Sequence, residues 1–86
     1  MADYTVTFAR SARKELEALE AALVKRIFVR IEALAKEPRP PGCLKLTGEE
    51  NLWRIRVGDY RVIYALNDPR KRVDIIAVRH RRAAYQ

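Results

Sequence analysis

The segment WRIRVGDYRVIY, residues 53–64, is predicted to form the β-hairpin around which the rest of the chain folds. Two runs of alternating β-forming residues flank Gly58 and Asp59, and a glycine at the first centre of a two-residue loop is what a type II′ turn requires. Counting outward from this turn places Arg56 directly opposite Arg61, because side chains alternate at period two. The other face is apolar and is expected to lie toward a core. It carries Trp53, Ile55, Val57, Tyr60, Val62 and Tyr64.

The arginines of this hairpin face have two interpretations. Like charges directly opposite each other destabilise a pair of strands. Arg56 and Arg61, with Arg54 further along the same strand, are therefore candidates for binding an anion, and planar forked guanidinium groups suit phosphate. The alternative is a solvated face of long side chains that keeps the sheet soluble. The hairpin alone leaves both interpretations open.

The length of 86 residues predicts a single domain, residues 1–86, with one core. No apolar run approaches the roughly 20 residues needed to cross a bilayer. The N-terminal segment lacks the pattern of a secretory signal, so a cytoplasmic location is expected. Cys43 is the single cysteine, which excludes an internal disulfide, and with only His80 beside it no metal site is predicted.

The charge of the chain points to a class of partner. The formal net charge is +7, and ten of the eighteen Lys and Arg residues follow Gly42, against five of the eleven acidic residues. A sequence pI near 10.1 with basic residues gathered on one element is typical of a nucleic-acid binder. An acidic protein segment or a membrane surface would suit the same charge.

The N-terminal half predicts one strand followed by helix. Residues 4–8 alternate as a short strand, and Ser11 is a candidate N-cap. Neither glycine nor proline interrupts residues 12–37, so the sequence does not distinguish one long helix from two. Folding back near residues 20–22 buries the apolar stripe better, which favours two helices. That stripe consists of Leu16, Leu19, Leu23, Ile27, Ile31 and Leu34.

The β-branched run at residues 73–78 is predicted to add a third consecutive antiparallel strand after the hairpin. The fold class is therefore α+β. Two N-terminal helices are expected to pack on one face of a small, mostly antiparallel four-stranded sheet, and the arginine face is expected to stay open.

The basic C-terminal run is expected to come near the hairpin and share one concave surface with it. The expected set is Arg54, Arg56, Arg61, His80, Arg81 and Tyr85. It contains no carboxylate pair, phosphate-binding glycine loop or metal-ligand spacing, so no cofactor is predicted. It suits metal-free RNA cleavage, in which the 2′-hydroxyl attacks the neighbouring phosphorus and arginines stabilise the developing charge.

Two of these residues are candidate proton carriers. His80 has the one side chain type whose ordinary pKa lies near neutrality, although a lone histidine is usually a surface or capping residue. Tyr85 is suited to stacking on a base or carrying a proton. Its alternative is a tail aromatic that packs back on the sheet.

The chain resembles the RelE/ParE superfamily of type II toxin–antitoxin toxins, and the RelE branch in particular. The resemblance rests on four segments in the same order. These are YTVTFARSARKELEAL, KLTG, WRIRVGDYRVIY and VRHRRAAY. It implies a microbial-ribonuclease-like α+β fold and an mRNA interferase that cuts messages in the ribosomal A site. It also implies neutralisation by a cognate antitoxin and no membrane partner.

The resemblance also implies roles for single residues. Arg61 and Arg81 are assigned to phosphate and transition-state stabilisation, and Tyr85 to orienting or protonating the substrate. The best-known RelE pattern has lysines where this chain has arginines, and a guanidinium group does not easily serve as a base. Other members have a C-terminal histidine, so His80 is assigned to proton transfer. The residues assigned to RNA binding are Lys45, Arg54, Arg56, Arg79 and Arg82.

Two other functions remain open at this point. The ParE branch shares the fold, lacks the nuclease residues and acts on DNA gyrase, and the presence of Arg61, Arg81 and Tyr85 argues against that branch. A non-catalytic RNA-binding domain would show salt-sensitive RNA affinity without cleavage.

Overall fold

A computed structural model describes residues 3–82, which contain two helices and five strands. In chain order these elements are β1 (Thr5–Phe8), α1 (Arg10–Glu17), α2 (Ala21–Ala33), β2 (Leu44–Lys45), β3 (Leu52–Val57), β4 (Tyr60–Asn67) and β5 (Arg72–His80). Within this part of the chain, no helix is long and apolar enough to cross a membrane.

The helical region is divided into two helices, as predicted. α1 ends at Glu17 and α2 begins at Ala21. Glu20 precedes α2 with a ψ of 147°, so the backbone is extended there and the chain can change direction. The prediction for the start of α1 was wrong. Ala9 is the N-cap, and the Ser11 hydroxyl instead donates a hydrogen bond of 2.8 Å to the carbonyl of Ile76 in β5.

The strands form one sheet in the order β1-β5-β4-β3-β2. β5 pairs antiparallel with β4, which confirms the third consecutive strand, and β1 pairs parallel with β5. The described residues contain one strand more than predicted, because Leu44 and Lys45 pair with Arg54 and Trp53 at the edge. A strand of two residues is too short to show an alternating pattern in the sequence.

The hairpin register is the predicted one. Arg56 pairs with Arg61, and Val57 and Tyr60 close the turn. Gly58 has a φ of +60°, whereas Asp59 is not among the residues with positive φ. A positive φ at the first central residue but not at the second is the pattern of a type II′ turn. Glycine adopts a positive φ without steric cost.

Both helices pack on the predicted apolar face of the sheet. Their buried residues form one cluster with the inward side chains of the strands, and Trp53 and Tyr60 pack against it half-buried. The cluster consists of Ala12, Leu16, Ile27, Ile31, Leu34, Ile55, Val57, Val62, Tyr64, Leu66, Val73, Ile75 and Val78. The opposite face of the sheet, which we call the open face, is not covered by either helix.

The proline-rich segment after α2 is anchored by hydrogen bonds and a cation–π contact. The hydroxyl of Tyr64 donates to the carbonyl of Pro38 at 2.7 Å, and burial raises the pKa of that tyrosine. The Arg39 guanidinium lies 4.9 Å from the centre of the Trp53 ring and forms a 2.8 Å ion pair with Asp68. These contacts tie the loop to β3, β4 and the turn that precedes β5.

Candidate functional site

A row of three arginines crosses the open face. Arg56 on β3 pairs with Arg61 on β4, and Arg61 pairs in turn with Arg79 on β5. Paired residues of neighbouring strands point to the same side of a sheet. The prediction that the hairpin arginines share one face is therefore confirmed, and the row extends to a third strand.

Arg81 joins this group through its backbone. Its amide donates a 2.8 Å hydrogen bond to the carbonyl of Asp59, so the chain after β5 continues beside the hairpin turn. Arg81 and Arg82 then border a depression of about 280 Å³ together with Arg56 and Arg61. We call this the arginine depression. It brings four guanidinium groups from three segments of the chain to one place.

The four arginines differ in their exposure. Only 8% of Arg61 is exposed, and among residues 3–82 it is the single buried charged residue. Arg56, Arg81 and Arg82 are exposed. An ion pair or hydrogen bond is stronger where water is partly excluded, so an anion at the base of the depression would interact most strongly with Arg61.

Arg79 lies in the same row but is engaged elsewhere. Its Nε donates to Glu15 Oε2 of α1 at 3.2 Å. Glu15 also accepts a 2.9 Å hydrogen bond from the amide of Val78. The charge of Arg79 is thus partly compensated at the edge of the sheet, and Arg79 does not line the arginine depression.

A second depression of about 420 Å³ lies on the other side of Arg61. We call it the Leu44 depression, and its lining residues are Leu44, Lys45, Leu46, Thr47, Arg54, Arg61 and Ile63. Arg54 lies between Leu44 and Ile63 in the sheet register, so these three side chains form one row on the open face. Lys45 pairs with Trp53 rather than with Arg54.

The side chain of His80 does not line the arginine depression. His80 pairs with Tyr60, which faces the helices, and the two rings meet edge to face at 5.3 Å. The Nδ1 atom of His80 accepts a 3.3 Å hydrogen bond from the amide of Arg82. The expectation of one shared concave surface is therefore wrong for His80, because β5 continues to that residue and its side chains alternate between the faces.

The remaining predicted site residue, Tyr85, lies outside the described residues, and its role stays a prediction. In the described part of the chain, no group of three or more His, Cys, Asp and Glu side chains is arranged to hold a metal ion.

Sequence reasoning missed Leu44, Thr47 and Ile63 as neighbours of the site. The available signal was the hairpin register, which already placed Ile63 opposite Arg54. The pairing of Leu44 with Arg54 had no sequence signal, because β2 is only two residues long.

Comparisons with known proteins agree in one family. The model of the family described as "ParE toxin of type II toxin-antitoxin system, parDE" matches residues 6–85. Toxin RelE of Mycobacterium tuberculosis (strain ATCC 25618 / H37Rv) is 37% identical over 82 residues, which cover 95% of this chain and 81% of that protein.

Solved structures of toxin–antitoxin complexes share the fold. The archaeal RelE–RelB complex from Pyrococcus horikoshii OT3 contains a chain that matches with a TM-score of 0.82 at 33% identity, covering 92% of this chain and 96% of that one. The RelBE2 complex from Mycobacterium tuberculosis contains a chain that matches with a TM-score of 0.81 at 29% identity, covering 93% of each.

Proposed function

Because the chain belongs to the RelE/ParE superfamily of type II toxin–antitoxin toxins, we propose that it is an endoribonuclease that cleaves mRNA on the ribosome. The observation that supports this activity best is the arginine depression. Four guanidinium groups surround it, and one of them, Arg61, is 8% exposed. A concentration of forked cationic donors of this kind suits the phosphate of an RNA backbone.

The proposed reaction needs only the groups of the RNA and of the protein. The 2′-oxygen of a ribose attacks the adjacent phosphorus and loses its proton, while the bond from phosphorus to the 5′-oxygen breaks and that oxygen gains a proton. The products are a 2′,3′-cyclic phosphate and a 5′-hydroxyl. Negative charge builds up on the non-bridging oxygens during the attack, and donors already held in place stabilise it.

Arg61 and Arg81 are assigned to that charge in the proposal. Arg61 is held in β4 between two paired strands, so it needs little reorganisation when substrate binds. Arg56 and Arg82 border the same depression and are assigned to binding the flanking phosphates. Lys45 and Arg54 would bind the RNA on the side of the Leu44 depression. Arg79 is assigned a weaker role in RNA binding, because its ion pair with Glu15 partly neutralises its charge.

Proton transfer is assigned to Tyr85. A guanidinium group does not act as a base, which excludes the arginines of the depression from this role. His80 faces Tyr60 and binds the amide of Arg82 through Nδ1. We therefore give His80 a positioning role in which it fixes the segment that carries Arg81 and Arg82.

The proposed partners are translated mRNA in the ribosomal A site, in the cytoplasm, and a cognate antitoxin. The antitoxin is supported by the solved relatives, which include an archaeal RelE–RelB complex and the RelBE2 toxin–antitoxin complex. A basic protein of net charge +7 suits the anionic surface of a ribosome, and steering by opposite charge would speed its association.

The proposal is tested by inducing the protein in cells and mapping the 5′ ends of mRNA. We expect new ends inside translated reading frames, bearing 5′-hydroxyl groups, and arrest of growth. Arg81→Ala should lower the cleavage rate by about 10²–10³-fold, as does the loss of one donor to a developing oxyanion. Arg70→Ala is the matched control, because Arg70 is exposed and lies in the turn before β5. Equal cleavage by both variants would contradict the proposal.

A second candidate function is inhibition of DNA gyrase. It is favoured by the matching family model, which is described as that of a ParE toxin. This alternative predicts DNA damage and co-purification with gyrase, with unchanged mRNA 5′ ends. The same induction experiment therefore distinguishes the two, since new mRNA ends arise only from a nuclease.

A further inference from the structure

We propose that the Leu44 depression is a subsite for a single nucleobase, which holds the base of a nucleotide next to the scissile phosphate. This inference rests on the proposed function, because it concerns how the same RNA is positioned. It assigns a ligand to a part of the open face that the arginine row does not explain.

The position of the depression is the first argument. Arg61 lines both the arginine depression and the Leu44 depression, so its guanidinium group separates them by a single side chain. A phosphate bound at Arg61 would therefore place an attached ribose at the edge of the Leu44 depression. The base of that nucleotide is the group that would enter it.

The lining is the second argument. Leu44 is 52% exposed, and the half-buried Ile63 lies across Arg54 from it. A guanidinium plane between two aliphatic side chains presents a flat cation with apolar borders. Unstacked bases are held in this way in single-stranded RNA complexes, by stacking on guanidinium planes and by apolar contact.

The third argument is that the described part of the open face offers aliphatic side chains and a guanidinium group, rather than aromatic rings, as contacts for a base. The aromatic side chains of the hairpin, Trp53, Tyr60 and Tyr64, all lie on the side of the helices. Among the described residues that line either depression, none is aromatic. Among the described residues, Arg54 and the aliphatic side chains therefore form the contact surface for a base, and Thr47 lines the same depression.

Charge sets the direction in which the RNA would lie. Glu49 and Glu50 follow Thr47 in the loop at the far side of the depression, where they border a neighbouring surface hollow. Lys45 lines both that hollow and the Leu44 depression, but two carboxylates against one ammonium group leave the hollow with a net negative charge. This charge would disfavour phosphate, whereas the arginine depression attracts it. An uncharged base thus fits the loop end of the Leu44 depression, and the backbone fits the end at Arg61.

The test measures whether the protein detects a single base. Purified protein is titrated against ribosomes carrying a short mRNA whose A-site codon has 2′-O-methyl groups, which prevent cleavage. The bases of that codon are then removed one at a time. We expect one abasic position to weaken binding by about tenfold or more to the wild-type protein, since stacking of a base commonly contributes that much.

The decisive comparison is the same titration with Leu44→Ala. If Leu44 contacts the base, the penalty for that abasic position should shrink by about threefold or more, because the part of the contact that Leu44 supplies is already lost while Arg54 remains. Val29→Ala is the matched control, as Val29 is an apolar residue of α2 that is 64% exposed. It should keep the full penalty. Equal penalties in all three proteins would overturn the subsite.

The outcomes separate this inference from the proposed function. Cleavage of unmodified mRNA by the wild-type protein, with no base-dependent difference for Leu44→Ala, would overturn the subsite alone. Failure to bind or cleave mRNA on ribosomes would overturn the proposed function. The subsite is then decided by the same titrations with the free 2′-O-methyl oligonucleotide, where the absence of any abasic effect overturns it.

Discussion

Arg61 lies between two other arginines of the same face, Arg56 on β3 and Arg79 on β5, and only 8% of it is exposed. Each of these features is unfavourable for folding. Like charges on paired strands repel each other, and removing a charged group from water is costly. A sheet selected for stability alone would place an apolar residue here. The presence of arginine at this costly position is explained if Arg61 serves to bind an anionic ligand.

We therefore predict that Arg61→Met separates stability from activity. Cleavage should fall by about 10²–10³-fold, because a donor to the phosphate is removed. The melting temperature should stay close to that of the wild-type protein, because the loss of the contacts of the buried guanidinium group is offset by removal of its desolvation cost. Thermal unfolding and mRNA cleavage of the same preparation measure both. A fall in melting temperature together with intact cleavage would contradict this view of Arg61.

A second prediction concerns His80. An asparagine can substitute for this histidine if it positions the chain, but not if it transfers a proton. The oxygen of Asn can accept the hydrogen bond that His80 Nδ1 accepts from the amide of Arg82. If His80 positions that segment, His80→Asn should keep cleavage within about threefold of wild type, whereas His80→Ala should lose more. If His80 transfers a proton, both variants should lose about 10²-fold or more. Single-turnover cleavage rates distinguish the two.

The wrong prediction for the position of His80 shows how far the sequence alone specifies this site. Alternation at period two placed every pair of the hairpin correctly, including Arg56 with Arg61. The same rule separates His80 from Arg79 and Arg81, but it applies only if the strand continues. The β-branched run ends at Val78, and the pairing of His80 with Tyr60 comes from the neighbouring strand rather than from local propensity.

At the level of elements, side chains of α1 bind the edge of β5 that β1 leaves unpaired. β1 pairs with β5 only as far as Ile75. Beyond that point the Ser11 hydroxyl donates to the carbonyl of Ile76, and the Glu15 carboxylate accepts from the amide of Val78. The helix thereby satisfies edge groups of β5 that would otherwise be open to pairing with another chain. Sequence reasoning could not find these contacts, since they join residues more than 60 positions apart.

The contact of Arg39 with Asp68 is predicted to make stability depend on pH. The hydrogen bond from Arg39 holds the pKa of Asp68 below the ordinary value of 3.8. A carboxyl group whose pKa is lower in the folded state stabilises the fold above its unfolded pKa, and that contribution is lost as the pH falls through the folded value. Asp68→Asn should therefore lower the urea midpoint at pH 7.

The difference between the two proteins should narrow as the pH falls below 3.8 and disappear only below the lowered pKa of Asp68, where the wild-type carboxyl group becomes protonated as well. The difference in urea midpoint is expected to be small even at pH 7, because the pair of Arg39 and Asp68 is solvent-exposed. Glu32→Gln is the control, since Glu32 is an exposed carboxylate of α2. A gap between wild type and Asp68→Asn that never narrows as the pH falls, down to the pH at which the protein unfolds, would exclude the ionic contribution.

At the scale of the whole molecule, the two faces of the sheet differ in burial and in charge. One face is buried under both helices and supplies the core, while the other presents guanidinium groups from β3, β4 and the segment after β5. The net charge of +7 acts over a longer range and does not distinguish the faces. In the proposed function only the open face contacts phosphate, and such contact displaces counterions and makes binding depend on salt.

This difference predicts how single charges affect the salt dependence of binding to programmed ribosomes. Arg81→Ala should reduce the slope of log K against log salt by about 0.7–0.9, the value for one lost phosphate contact. Arg30→Ala removes an equal charge from the exposed side of α2, away from the open face, and should leave the slope unchanged. Equal reductions in both variants would mean that the charge acts diffusely. A reduction confined to Arg81 would locate the phosphate contact at the arginine depression, independently of whether the bound RNA is cut.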